Sequence, residues 1–158
     1  MSSFPPNATL ADMQAWAAGI ITQREPDYVI GEDYLRRWYV IPRNPWVNIY
    51  LHEFRRSDDD RALHDHPWDN ASLVLYGEVD EITPDGTFRR SAGDRIERKA
   101  ADAHRIELIG PFAISLFITG PKVREWGFHC PNGWVHLEQF TAPGDSRLVG
   151  AGCGEITA

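Results

Sequence analysis

The chain has 158 residues, of which 42% are hydrophobic and 25% charged, and its formal net charge is -7 at pH 7. This size and composition are typical of one globular domain and argue against a disordered chain. The acidic balance without a basic block argues against a nucleic-acid surface, and no apolar run approaches the roughly 20 residues of a membrane-spanning helix.

Residues 1–27 are predicted to form a flexible arm followed by one helix. Thr9 is a suitable N-cap for a helix over residues 10–22, and Asp12 falls in its first turn. The apolar residues of this segment recur at helical spacing: Leu10, Met13, Trp16, Ala17 and Ile20.

From residue 28 onward the pattern changes to short segments rich in β-branched and aromatic residues, separated by turn residues. The predicted strands cover residues 28–30, 35–41, 47–54, 70–82, 87–90, 94–98, 104–109, 112–119, 125–129 and 134–140. Even spacing and the lack of a second helical pattern predict an all-β sandwich or barrel over residues 28–141. Residues 142–158 are Gly-rich and are expected to lie loosely on the surface.

The cysteines and the N-terminal residues indicate the cellular compartment of the protein. Cys130 and Cys153 are too few for a disulfide framework. The first residues also lack the charged start and apolar run of a signal peptide. We therefore expect a cytoplasmic protein in a reducing compartment.

His64 and His66 form a His-x-His pair at the predicted entrance of a strand. Residues i and i+2 of a strand face the same side, so both imidazoles project into one space. The following Pro67 fits a strand entrance, where a missing amide donor is tolerated. Neutral imidazole is the commonest metal ligand, and two on one strand face supply half of a typical site.

Further residues extend the pair into two motifs. Asn70 and Gly77 follow His66 at fixed distances, and a second block begins at Gly93 and reaches His104. Over residues 47–140 the chain resembles the cupin family, whose motifs read Gly-x5-His-x-His-x3,4-Glu-x6-Gly and Gly-x5-Pro-x-Gly-x2-His-x3-Asn. The resemblance implies a double-stranded β-helix barrel, and it implies that His64, His66 and His104 are metal ligands.

The chain departs from these motifs at several positions, and the loss of the ligand glutamate matters most. Asn70 stands in its place. Either its amide oxygen binds the metal weakly, or the metal keeps three histidines and leaves positions open for water, dioxygen or substrate. The remaining departures concern turns and the second motif's asparagine: Asp58, Lys99, Ala101 and Leu108.

The resemblance implies a metal-dependent enzyme. Three-histidine cupins are familiar among iron enzymes that oxidise thiols or cleave aromatic rings, so an oxygenase or dioxygenase with Fe(II) is favoured. Zn(II), Mn(II), Ni(II) and Cu(II) also accept imidazole. Three neutral ligands leave the charge of a divalent ion to be balanced, which favours a small anionic substrate. The alternative is a non-catalytic cupin that binds a metal or a small ligand as a sensor or structural module.

Other side chains are candidates for the pocket around the metal. His52 alternates with Tyr50 on the strand before the first motif, and either can line the barrel. Asp69 is a substitute carboxylate, although a regular strand points it away from the histidines. Counting by twos from His66 places Tyr76 on the metal face, where it is either a proton donor or a core residue.

Cations are candidates for binding an anionic substrate. Arg124 is either a clamp for the anion, with Trp126 or Phe128 as a wall, or part of a solvated strand edge. Arg36 and Arg37 lie on opposite faces of one strand, and the sequence does not decide which faces a pocket. The predicted strands 28–30 and 35–41 offer an exposed edge for a homodimer.

Overall fold

The computed structural model describes residues 7–58 and 62–154, which form twelve strands and two helices. The helices are α1 (Leu10–Gln23) and α2 (Leu137–Phe140). The strands are β1 (Tyr28–Ile30), β2 (Leu35–Tyr39), β3 (Asn48–Phe54), β4 (Leu63–His64), β5 (Asn70–Thr83), β6 (Gly86–Ser91), β7 (Arg95–Arg98), β8 (Arg105–Thr119), β9 (Gly127–Cys130), β10 (Gly133–His136), β11 (Thr141–Ala142) and β12 (Asp145–Val149).

Helix α1 begins as the sequence predicts. Thr9 and Asp12 form a reciprocal capping box, in which each side chain accepts a hydrogen bond from the other's backbone N–H. The helix packs its apolar side on a cluster that includes Trp38 and Leu75, on the outer face of the sheet. No helix within the described ranges is long and apolar enough to cross a membrane.

Two antiparallel sheets build the body of the protein. The larger has seven strands in the order β1-β2-β3-β8-β5-β6, with β7 also paired to β5. The smaller has the order β10-β9-β4. Both sheets contribute side chains to the wall of one cavity. The predicted all-β architecture is confirmed.

Strand β8 joins two predicted strands, 104–109 and 112–119, into one. Gly110 and Pro111 resemble a turn, but they lie beside an irregularity in the pairing of β5 with β8. At Gly77 on β5 the backbone has a φ of +72°, and a Cβ there would lie 2.3 Å from the carbonyl oxygen of Phe112. The close approach requires glycine and marks a β-bulge.

The C-terminal region differs from the prediction. Residues 137–140 form α2 rather than the end of a strand. Residues 141–153, which we call the C-terminal strap, are not loose. Strands β11 and β12 pair with each other, and the carbonyl of Arg147 accepts a hydrogen bond of 2.9 Å from the backbone of Gly31 beside β1.

A disulfide between Cys130 and Cys153 fastens the strap. The cysteine count predicts two reduced thiols, whereas the structure joins Cys130 and Cys153. The two residues are 23 positions apart, so their proximity depends on how α2 and the β11–β12 hairpin reverse the chain. The cytoplasmic location stays a prediction.

Candidate metal centre

The predicted three-histidine cluster is present. His64 and His104 exchange two backbone hydrogen bonds of 2.8 and 2.9 Å, which place their side chains next to each other. The backbone N–H of His66 donates to Ala100 O at 2.9 Å, close to the same segment. The three rings have centroid separations of 4.9 to 5.1 Å, and one ligand nitrogen from each lies within 4.8 Å of the others.

The free ring nitrogens fit a divalent metal ion. Nδ1 of His104 lies 2.7 Å from Oε1 of Glu81. A carboxylate only accepts, so Nδ1 carries the proton and the lone pair is on Nε2. The Nδ1 atoms of His64 and His66 are buried without a hydrogen-bond partner within the described residues. Buried unpaired nitrogens are costly, and a cation satisfies them.

The two histidines of the first motif are neutral at pH 7. Burial lowers the pKa of the His64 imidazole to about 4. Burial also lowers the pKa of His66 well below its ordinary value, and the neighbouring His104 and His64 add to the effect. Neutral imidazole is the form that binds a metal.

Glu81 is the central residue missed by the sequence analysis. Its side chain is 2% exposed and bonds Nε of both Arg98 and Arg90, the latter at 2.9 Å. Burial alone raises the pKa of Glu81, but the hydrogen bonds from His104 and Arg98 outweigh it and hold the pKa far below its usual range. Glu81 is therefore a carboxylate that orients His104.

The bulge explains why Glu81 was missed. Before Gly77 the cavity-facing residues of β5 are Ser72 and Val74, and after it they include Val79. One extra residue reverses the alternation of side chains along β5. Counting by twos from His66 therefore predicts that Glu81 faces away from the cavity, whereas it faces His104. A glycine inside a strand pattern is a known bulge signal and could have indicated the change.

Asn70 and Asp69 bind protein groups. The amide oxygen of Asn70 accepts a hydrogen bond of 3.2 Å from Nη1 of Arg98. Asp69 points away from the histidines, as a regular strand predicts. Its carboxylate accepts from the backbone N–H of Ala100 at 2.8 Å and contacts Nζ of Lys99 at 3.2 Å, which fixes the turn before His104.

The three histidines line a cavity of about 590 Å³ whose walls are largely apolar. His52 lines it, as predicted. Tyr50 is buried behind this wall, with its ring stacked 5.9 Å from His52. The open question about β2 is settled in favour of Arg37, which faces the cavity, whereas Arg36 bonds Asp33 outside it. Aromatic lining residues include Phe54, Trp68, Phe117, Trp126 and Phe128.

Two predicted side chains lie outside the cavity. Tyr76 packs against the cluster beneath α1, because the bulge turns it to the outer face. Arg124 bonds the carboxylate of Asp65 at 2.9 Å. Asp65 lies between the two histidines of the first motif, so alternation points it to the opposite side. The placement of Tyr76 on the metal face was wrong, and Arg124 does not reach the cavity.

The Asp65 carboxylate is a structural clamp. It is 1% exposed and accepts hydrogen bonds from the backbone of Gly127 at 2.8 Å and from the side chains of His129 and Trp134 at 3.0 Å. The His129 side chain is therefore occupied by its contact with Asp65. Cys130 is in the disulfide, and the His136 side chain contacts Glu125 at 3.1 Å. These residues hold together β4, β9 and β10, the three strands of the smaller sheet.

No protein-family model matches the sequence, and no curated protein is significantly similar to it. Several solved structures are similar in fold. DMSP lyase DddQ from Ruegeria pomeroyi superposes with a TM-score of 0.59 at 14% identity, over 84% of this chain and 74% of that chain. KdgF from Halomonas sp. gives 0.54 at 19% identity, over 66% and 94%.

A third structure carries a family name. A cupin superfamily protein from Desulfitobacterium hafniense superposes with a TM-score of 0.52 at 17% identity, over 77% of this chain and 98% of that chain. This chain has the cupin fold. The resemblance inferred from the two motifs is thereby confirmed for the fold, with the histidine cluster at the position that the cupin motifs imply.

Proposed function

We propose that this cupin-fold protein is a metal-dependent enzyme that acts on a small anionic molecule bound in the cavity. One observation carries the proposal: three imidazoles with free nitrogens converge on the wall of one cavity. A neutral three-histidine set leaves the charge of a divalent ion unbalanced, and an anionic substrate balances it.

The histidines, Glu81 and the cavity walls have separate roles in this proposal. His64, His66 and His104 hold the ion, which when bound supplies Lewis acidity and, if it is Fe(II), reactivity toward dioxygen. Glu81 keeps the Nδ1 proton of His104 and so presents its Nε2. The largely apolar walls contact the body of the bound substrate. An oxygenase reaction with Fe(II) is the specific form that the motif resemblance favours.

Metal analysis tests the proposal directly. We expect the purified protein to hold one divalent ion per chain, measured by plasma mass spectrometry. The double variant His64→Ala/His104→Ala should lose the ion and retain its far-ultraviolet circular dichroism. His136→Ala, a histidine outside the cluster, is the matched control and should keep the ion. Metal retained by the double variant would overturn the site.

The reaction is tested separately. Protein loaded anaerobically with Fe(II) is mixed with small carboxylates and thiols, and oxygen uptake is followed with an electrode. Uptake that requires His64 and His104 supports the oxygenase. A bound ion without uptake or turnover would contradict the oxygenase and favour the non-catalytic metal-binding module.

A further inference from the structure

Arg37 differs from the other cations of the cavity. Four arginines line it: Arg37, Arg90, Arg98 and Arg147. Glu81 bonds two of them, and Asp145 holds Arg147 with two bonds of 2.8 Å. Within residues 7–58 and 62–154 no carboxylate pairs with Arg37. Among the described residues it is therefore the lining arginine whose charge no acidic side chain balances.

Neither acidic residue in the described lining of the cavity forms an ion pair with Arg37. Oδ2 of Asp58 accepts a hydrogen bond of 2.7 Å from the backbone of Ile106. Glu32 is largely exposed, and its carboxylate reaches Arg56 at 4.0 Å. Each carboxylate thus has a contact of its own elsewhere.

The guanidinium of Arg37 is held in a fixed orientation. Its Nε donates to Nε2 of His52 at 2.9 Å, and its central carbon lies 4.5 Å from the centroid of the Tyr50 ring. Burial and the charge of Arg37 lower the pKa of His52 well below its ordinary value, so His52 is a neutral acceptor. The terminal nitrogens Nη1 and Nη2 have no hydrogen-bond partner in the described part of the chain.

These free donors suit a carboxylate. A guanidinium stays protonated in proteins, and its two terminal N–H groups match the two oxygens of a carboxylate. Burial lowers the pKa of Arg37, because the cation is removed from water without an acidic partner. Arg37 is partly buried. A cation that is shielded from water and has no acidic partner is stabilised by a bound anion.

An aromatic wall connects Arg37 with the histidine cluster. The Phe117 ring lies 5.0 Å from His52 at one end and 6.2 Å from His66 at the other. Trp68 lies 5.8 Å from His66 and 6.0 Å from Phe117. A ligand that reaches from Arg37 to the histidines therefore has its central part in contact with aromatic carbon atoms.

We propose that Arg37 binds the carboxylate of a small molecule with an apolar body, whose opposite end faces His64, His66 and His104. This inference deepens the proposed function, since the histidine end is where the metal would act. It assigns one carboxylate of the substrate to the Arg37 end of the cavity, in addition to the anionic group that would balance the ion at the histidines. The ligand class is a carboxylate with an aromatic or aliphatic body.

Binding to metal-free protein tests the inference without the metal site. The probes are benzoate, phenylacetate and hexanoate, each compared with its primary amide, which has the same shape without the charge. Binding is measured by calorimetry and by the fluorescence of Trp68 and Trp126 in the cavity wall. We expect at least one carboxylate to bind more tightly than its amide.

A pair of variants locates the effect. Arg37→Gln should weaken carboxylate binding by about tenfold or more, because the charge-assisted hydrogen bonds to the carboxylate are lost. Arg43→Gln is the matched control, since Arg43 lies 5.8 Å from the same Tyr50 ring but is exposed and outside the cavity lining. It should bind as the wild type does. Arg37→Lys keeps the charge but lacks the two terminal N–H groups of the guanidinium, so its affinity for the carboxylate should be intermediate.

Three results would overturn the inference: no carboxylate binds, amides bind as tightly as carboxylates, or Arg37→Gln binds as the wild type does. If Arg37→Gln does not fold, the comparison of acid with amide in the wild type and the Arg37→Lys titration decide. Failure here leaves the metal analysis untouched, and loss of the metal site leaves this measurement valid, because it uses metal-free protein.

Discussion

At the scale of single residues, the contact between Glu81 and His104 connects the histidine cluster to a buried charge network. Glu81 bonds His104 at 2.7 Å and two arginines, and Arg98 extends the network to Ser72 at 3.0 Å. Groups behind a metal-binding histidine fix its tautomer and orientation. Glu81 is therefore a positioning residue.

Replacing Glu81 tests this role. We expect Glu81→Gln to weaken Co(II) binding by about 10–100-fold, because the carboxylate no longer holds the Nδ1 proton of His104. It should also lower the free energy of unfolding by about 3–5 kcal/mol, since two cations lose their buried partner. Asp80→Asn, one residue away and bonded to Arg89, is the control and should bind Co(II) normally. Unchanged Co(II) affinity in Glu81→Gln would contradict the role.

Asn70 offers a second test at residue scale. In the cupin motif the glutamate at this position is a metal ligand, so Asn70→Glu should hold the metal at least as tightly and bind azide more weakly. Asn70→Gln has the same size without the charge and should bind azide as the wild type does. Spectra of the Co(II)-loaded proteins during azide titration give the comparison. Identical curves for all three would show that position 70 does not set the charge balance.

At the scale of elements, the bulge in β5 decides which side chains reach the cavity. The bulge depends on Gly77, where the backbone φ is positive. A Cβ at this position would lie 2.3 Å from the carbonyl oxygen of Phe112, which excludes a side chain. We expect Gly77→Ala to lower the free energy of unfolding by more than about 2 kcal/mol, measured by urea denaturation.

Gly19 in α1 is the matched control for this substitution. A Cβ there meets nothing within 4 Å, and the residue lies inside a helix. Gly19→Ala should therefore stabilise the protein by about 0.5–1 kcal/mol. Equal and small effects at both positions would contradict the importance of the bulge.

The C-terminal strap is the second element that shapes the site. Its residues Ser146 to Val149 line the cavity, and the Cys130–Cys153 disulfide fastens its end. Reduction should lower the free energy of unfolding by about 3 kcal/mol, because a closed loop in the unfolded chain is lost. Amide hydrogen exchange over residues 141–153 should increase.

The control is the Cys130→Ser/Cys153→Ser variant. It should resemble the reduced wild type and respond no further to reductant. Unchanged exchange in the strap on reduction would show that the β11–β12 pairing alone holds it.

At the scale of the whole molecule, the homodimer stays a prediction. Strand β1 ends the order of the seven-stranded sheet, and its three residues are only partly buried. An edge with β-branched and aromatic residues is suited to pairing with a second copy. Light scattering at micromolar concentration should give twice the chain mass of 17.9 kDa, and the mass of a single chain would refute it.

Much of the fold was predictable because its signals are local. The cap at Thr9 and the spacing of apolar residues place α1 to within one residue of its observed end at Gln23. Alternation over two positions brings His64 and His66 to one face, and motif spacing adds His104. The Gly110-Pro111 signal failed, since the same residues serve a turn or a bulge.

The sequence by itself determined the all-β architecture, the N-terminal helix and the histidine cluster, because caps, alternation and motif spacing act over a few residues. Only the tertiary structure decided that Glu81 bonds His104, 23 positions away, and that Arg37 faces His52, 15 positions away. It likewise decided the Cys130–Cys153 disulfide. Such pairs depend on how the sheets close and on the one-residue shift at Gly77, and neither leaves a periodic trace in the sequence.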